Sequence, residues 1–355
     1  MAINAELRGS VGLPGGDALV SGFAFEGRWG GARRALLRNG EELEVYDLDE
    51  LLGGERAPAA VFPLPWTGWD RGVHSVSPDG AFAVFSGQRA VRAVGVGGEV
   101  LWEYRHGCWG PELGHPHSGD GQEVCRGSEH GSCRVSDDGL FVWAHVVHEE
   151  QEYWVVLDAA DGRELARLAL DSATAGSHHV SHPDGIHMGL SIGMGQDGIL
   201  LYWARWDGER LTCWDLNETM DRILIDVHPG HAGYLTLEHY GADLRLHALD
   251  GDVLAEAEPE ADEFGDRPCW EYTCGFVDAG TVIVPVPDEE EFADLAGHWL
   301  LDAHTLGIRG RVDYPDGSVA GYVRPLGDGT WLTYDGRTET LNRWGTGTGT
   351  GMGAG

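Results

Sequence analysis

Short segments that mix apolar and polar residues, each ending in a tight turn, recur along this chain. In the best copies an apolar-bearing segment enters an Asp-Gly turn. Glycine there supplies a positive φ, proline presets φ, and aspartate caps its own backbone, so each copy predicts a strand, a turn and a second strand. The copies occupy residues 73–80, 132–139, 178–185, 225–230, 273–280 and 323–329.

The closing glycines of these copies are about 45 to 60 residues apart, and such a period built from strands and turns is typical of a β-propeller. We therefore predict an all-β fold, a seven-bladed β-propeller with four-stranded antiparallel blades. We name the four strands of a blade A to D in chain order. In the third repeat, for example, residues 140–145, 153–158 and 164–168 are predicted to be strands B, C and D. The other predicted blades run over residues 17–66, 74–130, 178–224, 225–268, 269–318 and 319–344.

The last predicted blade has room for only about three strands, judged by usual strand lengths. The N-terminal segment Ile3–Leu7 is apolar enough to supply the missing strand, which would close the ring and remove free sheet edges. We predict a single domain over residues 1–344. The Gly/Thr-rich tail at 345–355 is of low complexity and is expected to be disordered.

Two kinds of repeat family are similar to parts of this chain. Residues 98–104 and 157–165 resemble the sequences of strands C and D in quinoprotein-like repeat propellers. The Ser-Pro-Asp-Gly turn at 77–80 resembles the turn between strands A and B of WD40-type repeats. The resemblance covers about residues 70–335 and implies the fold. It does not imply pyrroloquinoline quinone binding, and the chain departs from the WD40 pattern because Trp214-Asp215 is its single good Trp-Asp pair.

The charge of the chain is strongly negative. It has 58 acidic and 24 basic residues, a net charge of −34, and every basic residue is arginine. Such a chain repels phosphate backbones and anionic lipids, so we expect no nucleic-acid or membrane partner. A basic partner or a cation suits it better. No signal-peptide pattern is visible and the six cysteines follow no disulfide spacing, so we expect a cytoplasmic protein, and a monomer.

Soft ligand residues recur at the start of strand A, two residues before a shared Val or Phe. They are His74, Cys133, His178 and Cys274. Strand A lines the channel of a propeller, and thiolate with imidazole is a ligand set that zinc and copper prefer. The alternative is that these side chains only pack in strand interiors, as Cys and His often do.

A long His- and Cys-rich insertion at 105–131 is predicted to lie on the same face as the starts of strand A. It contains His115 and His117 close together. A loop of this length is commonly functional, and the alternative is a flexible polar surface loop. We interpret His145, His148, His182 and His187, on or beside strand B, as structural histidines.

Two functions remain open at this point. The first is a binding module that takes a protein partner or small-molecule ligand through its loop face and channel mouth. The alternative is a metal-dependent enzyme, lyase-like or hydrolytic, which would carry zinc, copper, manganese or iron. Its predicted metal ligands are His74, Cys133, His178 and His115, and its predicted general bases are His117 and His179.

Overall fold

The regular secondary structure in the described part of this computed structural model is almost entirely β-strand. The chain divides into two compact units, the first made of residues 17–50 and 56–224 and the second of residues 1–16, 51–55 and 225–355. Among the described residues no helix has the length and apolar character needed to cross a bilayer. The structure describes residues 2–13, 23–27, 33–69, 72–110, 130–149, 151–217, 221–259, 269–287, 295–315, 322–335 and 338–347.

The N-terminal strand, β1 (Ala2–Gly12), belongs to the second unit. The first unit contains four sheets, and in each the strands pair in chain order. The first of these sheets is formed by β2 (Phe23–Gly27), β3 (Arg33–Asn39), β4 (Glu42–Asp47) and β5 (Ala60–Pro63). A short helix, α1 (Leu48–Leu52), follows β4.

The next three sheets match the predicted second, third and fourth repeats. One is formed by β6 (His74–Val76), β7 (Phe82–Ser86), β8 (Ala90–Gly95) and β9 (Val100–Arg105). Another is formed by β10 (Cys133–Val135), β11 (Phe141–His148), β12 (Gln151–Asp158) and β13 (Glu164–Leu170). The last is formed by β14 (Gly176–Ser181), β15 (His187–Gly193), β16 (Ile199–Trp206) and β17 (Leu211–Asp215).

In the second and third repeats, the turn between the first two strands is fixed by one serine and one aspartate. The hydroxyl of Ser77 donates a hydrogen bond to Oδ1 of Asp79 over 2.7 Å, and Ser136 makes the same bond to Asp138 over 2.6 Å. Gly80 closes the turn with a φ of 74°, a conformation that favours glycine. Tryptophans such as Trp143 are fully buried between strands and provide much of the apolar area that stabilises the sheets.

The second unit contains the last three repeats. Its first sheet is formed by β18 (Arg222–Val227), β19 (Tyr234–Glu238), β20 (Leu244–His247) and β21 (Val253–Ala257). The next is formed by β22 (Gly275–Asp278), β23 (Thr281–Pro287), β24 (Leu295–Asp302) and β25 (Ile308–Asp313). The last is formed by β26 (Tyr322–Pro325), β27 (Thr330–Asp335) and β28 (Thr340–Thr346) together with β1.

The N-terminal strand completes the last sheet, as predicted, and it does more than the sequence indicated. Residues 5–12 pair antiparallel with β28, whereas residues 2–4 pair in parallel with β25 of the preceding sheet. The two sheets thus become one eight-stranded sheet. Strand β28 reaches Thr346, past the predicted end of the domain at 344, and residues 348–355 of the tail lie outside the described residues. That residues 1–344 form one domain stays a prediction.

Candidate functional site

The hydrogen bonds of the Asp-Gly turns align the repeats residue by residue. In each turn a backbone N–H donates to the carbonyl five residues later, over 2.9, 2.9 and 3.2 Å in the second, third and fourth repeats. The same residue accepts a bond from the N–H of the closing glycine. The residues that share this place in the turn are Ser77, Ser136 and His182.

This alignment changes which histidine of the fourth repeat corresponds to His74 and Cys133. His179 lies three residues before the shared turn position of its repeat, as His74 and Cys133 do in theirs. The repeat pattern in the sequence, aligned on Val180, places His178 there instead. Since successive side chains of a strand point to opposite faces, this one-residue difference reverses the direction of the side chain. His179 is buried and His178 is exposed. The predicted equivalence was therefore wrong by one residue in this repeat.

His74 lies in an aromatic environment at the start of β6. Its ring is 6.3 Å from that of Trp69 and 6.4 Å from that of Phe85, and its Nε2 is shielded from solvent and makes no hydrogen bond to any residue that the structure describes. Burial, reinforced by the positive charges of Arg38 and Arg134, lowers the pKa of His74 to about 4. The imidazole is thus neutral at physiological pH, the form that a metal ligand requires.

Cys133 and His178 have different surroundings from His74. The Cys133 thiol is buried and lies 3.5 and 3.7 Å from the carbonyl oxygens of Val73 and Val84. The Nε2 atom of His178 lies 3.4 Å from the carbonyl oxygen of Leu224. Within the described residues, these side chains do not join any group of three metal-ligating atoms that lie within 4.8 Å of one another. The roles predicted for His74, Cys133 and His178 stay predictions, and His115 and His117 lie outside the described residues.

His179 belongs to a buried chain of hydrogen bonds. The indole N–H of Trp154 donates to its Nε2 over 2.9 Å, so neutral His179 carries its proton on Nδ1. That Nδ1 lies 2.8 Å from the hydroxyl oxygen of Ser132 and donates to it. Burial, with the nearby His145 and His178, lowers the pKa of His179 well below its usual value. Both ring nitrogens are used, and its role as general base stays a prediction.

The chain continues from Ser132 to a buried carboxylate. The hydroxyls of Ser132 and Ser177 are 2.8 Å apart, the Ser177 hydroxyl lies 2.9 Å from Nδ1 of His145, and Nε2 of His145 lies 3.0 Å from Glu152. With His179 donating at one end and a carboxylate accepting at the other, every bond in the chain has one consistent direction. Such a satisfied network stabilises and rigidifies a core.

Glu152 remains ionised at the end of this chain. Burial opposes its ionisation, but hydrogen bonds from His145, from the hydroxyl of Ser172 (2.5 Å) and from the backbone N–H of Thr174 (2.8 Å) outweigh burial and lower the pKa of Glu152. Sequence patterns carry no signal for this network, because its members come from three strands, from the residue before β10 and from the segment that follows β13.

An exposed aromatic surface lies on the second unit, where the β19–β20 turn meets the segment before β22. Tyr240 is 77% exposed and Tyr272 is 42% exposed. The ring of His239 lies 4.9 Å from that of Tyr240 and 6.2 Å from that of Tyr272, and the Tyr272 hydroxyl is 3.3 Å from Nδ1 of His239. We name His239, Tyr240 and Tyr272 the aromatic loop surface.

The two segments that carry the aromatic loop surface are fixed to each other by backbone contacts. The N–H of Trp270 donates to the carbonyl of Gly241 over 2.9 Å, and the Trp270 side chain is buried beneath. Gly241 has a φ of 76°, and a Cβ atom there would lie 2.3 Å from the carbonyl oxygen of Trp270. Only glycine allows this close approach. The carboxylate of Glu238 accepts bonds from the N–H groups of Tyr240 and Ala242 (2.8 and 3.1 Å).

Two carboxylates, those of Glu238 and Glu271, lie near the aromatic loop surface. Burial, followed by the charges of Glu271 and Glu238, raises the pKa of Tyr272, so its hydroxyl keeps its proton. Sequence reasoning missed this surface, because Tyr240 and Tyr272 are far apart along the chain. The signal that could have found it is the His-Tyr-Gly sequence at 239–241, within the predicted blade at 225–268.

Comparisons with known proteins agree with the fold. No protein-family model matches the chain, and no curated protein matches it. Among solved structures, it is similar to the Cps50 (Swd1) β-propeller domain of Myceliophteria thermophila, with 12% identity, a TM-score of 0.56, and coverage of 97% of this chain and 100% of that one.

Two further solved structures show the same likeness. One is described as the structure of U3-55K (10% identity, TM-score 0.53, 96% of this chain and 99% of that one). The other is the RRP9 WD40 repeats (9% identity, TM-score 0.51, 97% of this chain and 100% of that one). Together with the seven four-stranded sheets, these likenesses confirm the predicted class, a β-propeller whose last blade is completed by the N-terminal strand. At these identities they show the fold alone.

Proposed function

We propose that this propeller is a binding module, and that its aromatic loop surface recognises a basic segment of a protein partner. The observation that carries the proposal is the pair of exposed tyrosines, Tyr240 and Tyr272, in an acidic surrounding. Tyrosine is enriched where proteins bind one another, since it contributes a large rigid contact area and a polar hydroxyl.

The chemistry of this surface favours a cationic ligand. A tyrosine ring attracts an arginine or lysine side chain placed over its face, and such a contact contributes about 0.5–1 kcal/mol at exposed sites and more when water is excluded. Glu238 and Glu271 add negative charge beside the rings. The net charge of −34 on the whole chain would speed the encounter with a basic partner at low salt.

The rigidity of the surface also supports the proposal. Binding costs free energy when loops must be ordered, and a surface that is already fixed avoids part of that cost. The bond between Trp270 and Gly241, and the bonds that Glu238 makes to its own turn, fix the backbone around both tyrosines before any partner arrives.

The proposal is tested with synthetic peptides of one length and one scaffold sequence, in which selected positions carry Arg, Gln or Glu. The wild-type protein should bind the Arg peptides most tightly, and Tyr240→Ala/Tyr272→Ala should weaken that binding by about tenfold or more. Leu254→Ala is the matched control, because Leu254 is 56% exposed on β21 of the same sheet and lies outside the surface. Equal binding of the three peptide classes would contradict the proposal.

The metal-dependent enzyme predicted as the alternative has no specific support. Its proposed ligands His74, Cys133 and His178 have the separate surroundings described above, and its remaining residues, His115 and His117, lie outside the described part of the chain. We keep it as a prediction that elemental analysis of His74→Ala/His178→Ala, compared with wild type, would test.

A further inference from the structure

Two imidazoles converge on one carboxylate at the β14–β15 turn. Nδ1 of His182 lies 3.0 Å from Oδ1 of Asp184, and Nδ1 of His187 lies 2.7 Å from Oδ2 of the same carboxylate. One ligand atom from each residue lies within 4.8 Å of the other two, and no other group of three His, Cys, Asp or Glu residues in the described ranges meets this condition. Two nitrogens and one oxygen at such spacing match a zinc-type site that keeps one open position.

The turn does not need these imidazoles in order to form. In the second and third repeats the place of His182 is taken by Ser77 and Ser136, whose hydroxyls bond the turn aspartate. The place of His187 is taken there by phenylalanine, at positions 82 and 141. The fourth repeat therefore has two nitrogen ligands where its neighbours have a hydroxyl and an apolar ring.

The corresponding histidine of the next repeat has different partners. Nδ1 of His228 accepts the N–H of Gly230 over 2.9 Å, and its Nε2 lies 3.0 Å from the carbonyl oxygen of Ala279. Nδ1 of His182 lies 3.0 Å from Oδ1 of Asp184, closer than the 3.3 Å that separates it from the backbone nitrogen of Asp184. The carboxylate is therefore the nearer partner of His182, whereas the turn of the next repeat has glycine in place of Asp184.

Contacts with neighbouring residues restrain the side chains of His187 and Asp184. The ring of His187 stacks on Trp203 at 5.7 Å and on Trp214 at 6.2 Å, which restrains its orientation. Oδ1 of Asp184 accepts the backbone N–H groups of Ile186 and His187, each over 3.0 Å. The side chain of Asp184 is 25% exposed and that of His182 is fully buried.

We propose that His182, Asp184 and His187 form a binding site for a divalent transition-metal ion of the zinc class, with its fourth position open to water or to an external ligand. Each neutral imidazole would place its proton on Nε2 and coordinate through Nδ1, and Asp184 would coordinate through one carboxylate oxygen. This site uses none of the predicted ligands His74, Cys133, His178 and His115, and it does not depend on the aromatic loop surface.

The test is a titration of the full chain, purified without a metal-affinity tag and stripped with a chelator, with Co²⁺ followed by visible absorption. Zn²⁺ is then added in competition. The matched variant is His182→Ser/His187→Phe, which gives the turn the residues that its neighbours have at 77 and 82 and is expected to fold. His187→Gln is a milder variant, since the amide keeps a hydrogen-bond donor for Asp184 but is a poor zinc ligand.

Wild type should show a low-symmetry Co²⁺ spectrum that Zn²⁺ abolishes, and it should bind one equivalent more than the double variant. His187→Gln should bind that ion at least about 100-fold more weakly, as expected for loss of one of three ligands. The same stoichiometry and affinity in wild type and His187→Gln would overturn the proposal. A folded wild type with no Co²⁺ spectrum would also overturn it and would identify the cluster as a proton-bridged His–Asp–His turn.

Discussion

Trp154 donates its indole N–H to Nε2 of His179 over 2.9 Å. Because an indole can only donate, this bond fixes the tautomer of His179 and the direction of each bond that follows toward Glu152. A histidine in this arrangement contributes to stability through its two partners, whereas its neighbour His178 lies on the exposed face of the same strand.

We therefore expect opposite consequences from two adjacent substitutions. His179→Ala leaves the Trp154 N–H and the Ser132 hydroxyl without their partner and creates a cavity, and it should lower the free energy of unfolding by about 2–4 kcal/mol. His178→Ala should change it by less than about 0.5 kcal/mol. Urea denaturation of both variants measures the difference, and a larger loss in His178→Ala would contradict the register assigned to β14.

The buried carboxylate of Glu152 should make stability depend on pH. Its pKa is lower in the folded chain than in the unfolded chain, where it is about 4.3. Its ionised form therefore stabilises the fold above that pH, and the contribution disappears as the pH falls through the folded pKa. Glu152→Gln should be less stable than wild type by about 1–3 kcal/mol near neutral pH, with the gap closing in acid.

The measurement for Glu152 is the free energy of unfolding of wild type and Glu152→Gln across the acidic range. Glu209→Gln is the control, because Glu209 is exposed on the same unit and should follow wild type at every pH. A gap between wild type and Glu152→Gln that stays constant down to about pH 3 would show that the ionised state of Glu152 does not stabilise the fold.

Gly241 should determine the shape of the aromatic loop surface. Gly241→Ala combines a positive φ with a Cβ atom 2.3 Å from the Trp270 carbonyl oxygen, so the two segments must separate. We expect the free energy of unfolding to fall by about 2–4 kcal/mol and peptide binding to weaken. Gly329→Ala is the control: its φ is +90°, but nothing lies within 4 Å of the added Cβ, so it should cost about 1 kcal/mol and leave binding unchanged.

The local turn chemistry made most of the fold predictable. Residues such as Asp79 and Gly80 specify a turn by themselves, and the recurrence of this turn indicated six of the seven blades. The parallel pairing of Ala2–Asn4 with β25 could not be read in this way, because no local pattern specifies a partner about 300 residues away. The register of β14 was missed for a different reason, since two adjacent histidines fit the repeat phrase equally well.

The candidate sites were predictable only in part. Residue type and repeat position drew attention to His74 and Cys133, but distances across strands decide whether such residues meet. His182 and His187 were interpreted as structural because each was compared with histidines in general. His182 and His187 differ from other histidines because Ser77 and Phe82 occupy the same two positions in the second repeat, and this comparison is the signal that distinguishes them.

The measurement that tests the binding module most directly is isothermal titration of an Arg-containing peptide into wild type and Tyr240→Ala/Tyr272→Ala, at low and high salt. We expect binding to wild type that weakens as salt rises, and an affinity about tenfold lower in the double variant at both salt concentrations. Identical binding curves for the two proteins would contradict this expectation, because the peptide would then be held by the overall negative charge and not by the aromatic loop surface.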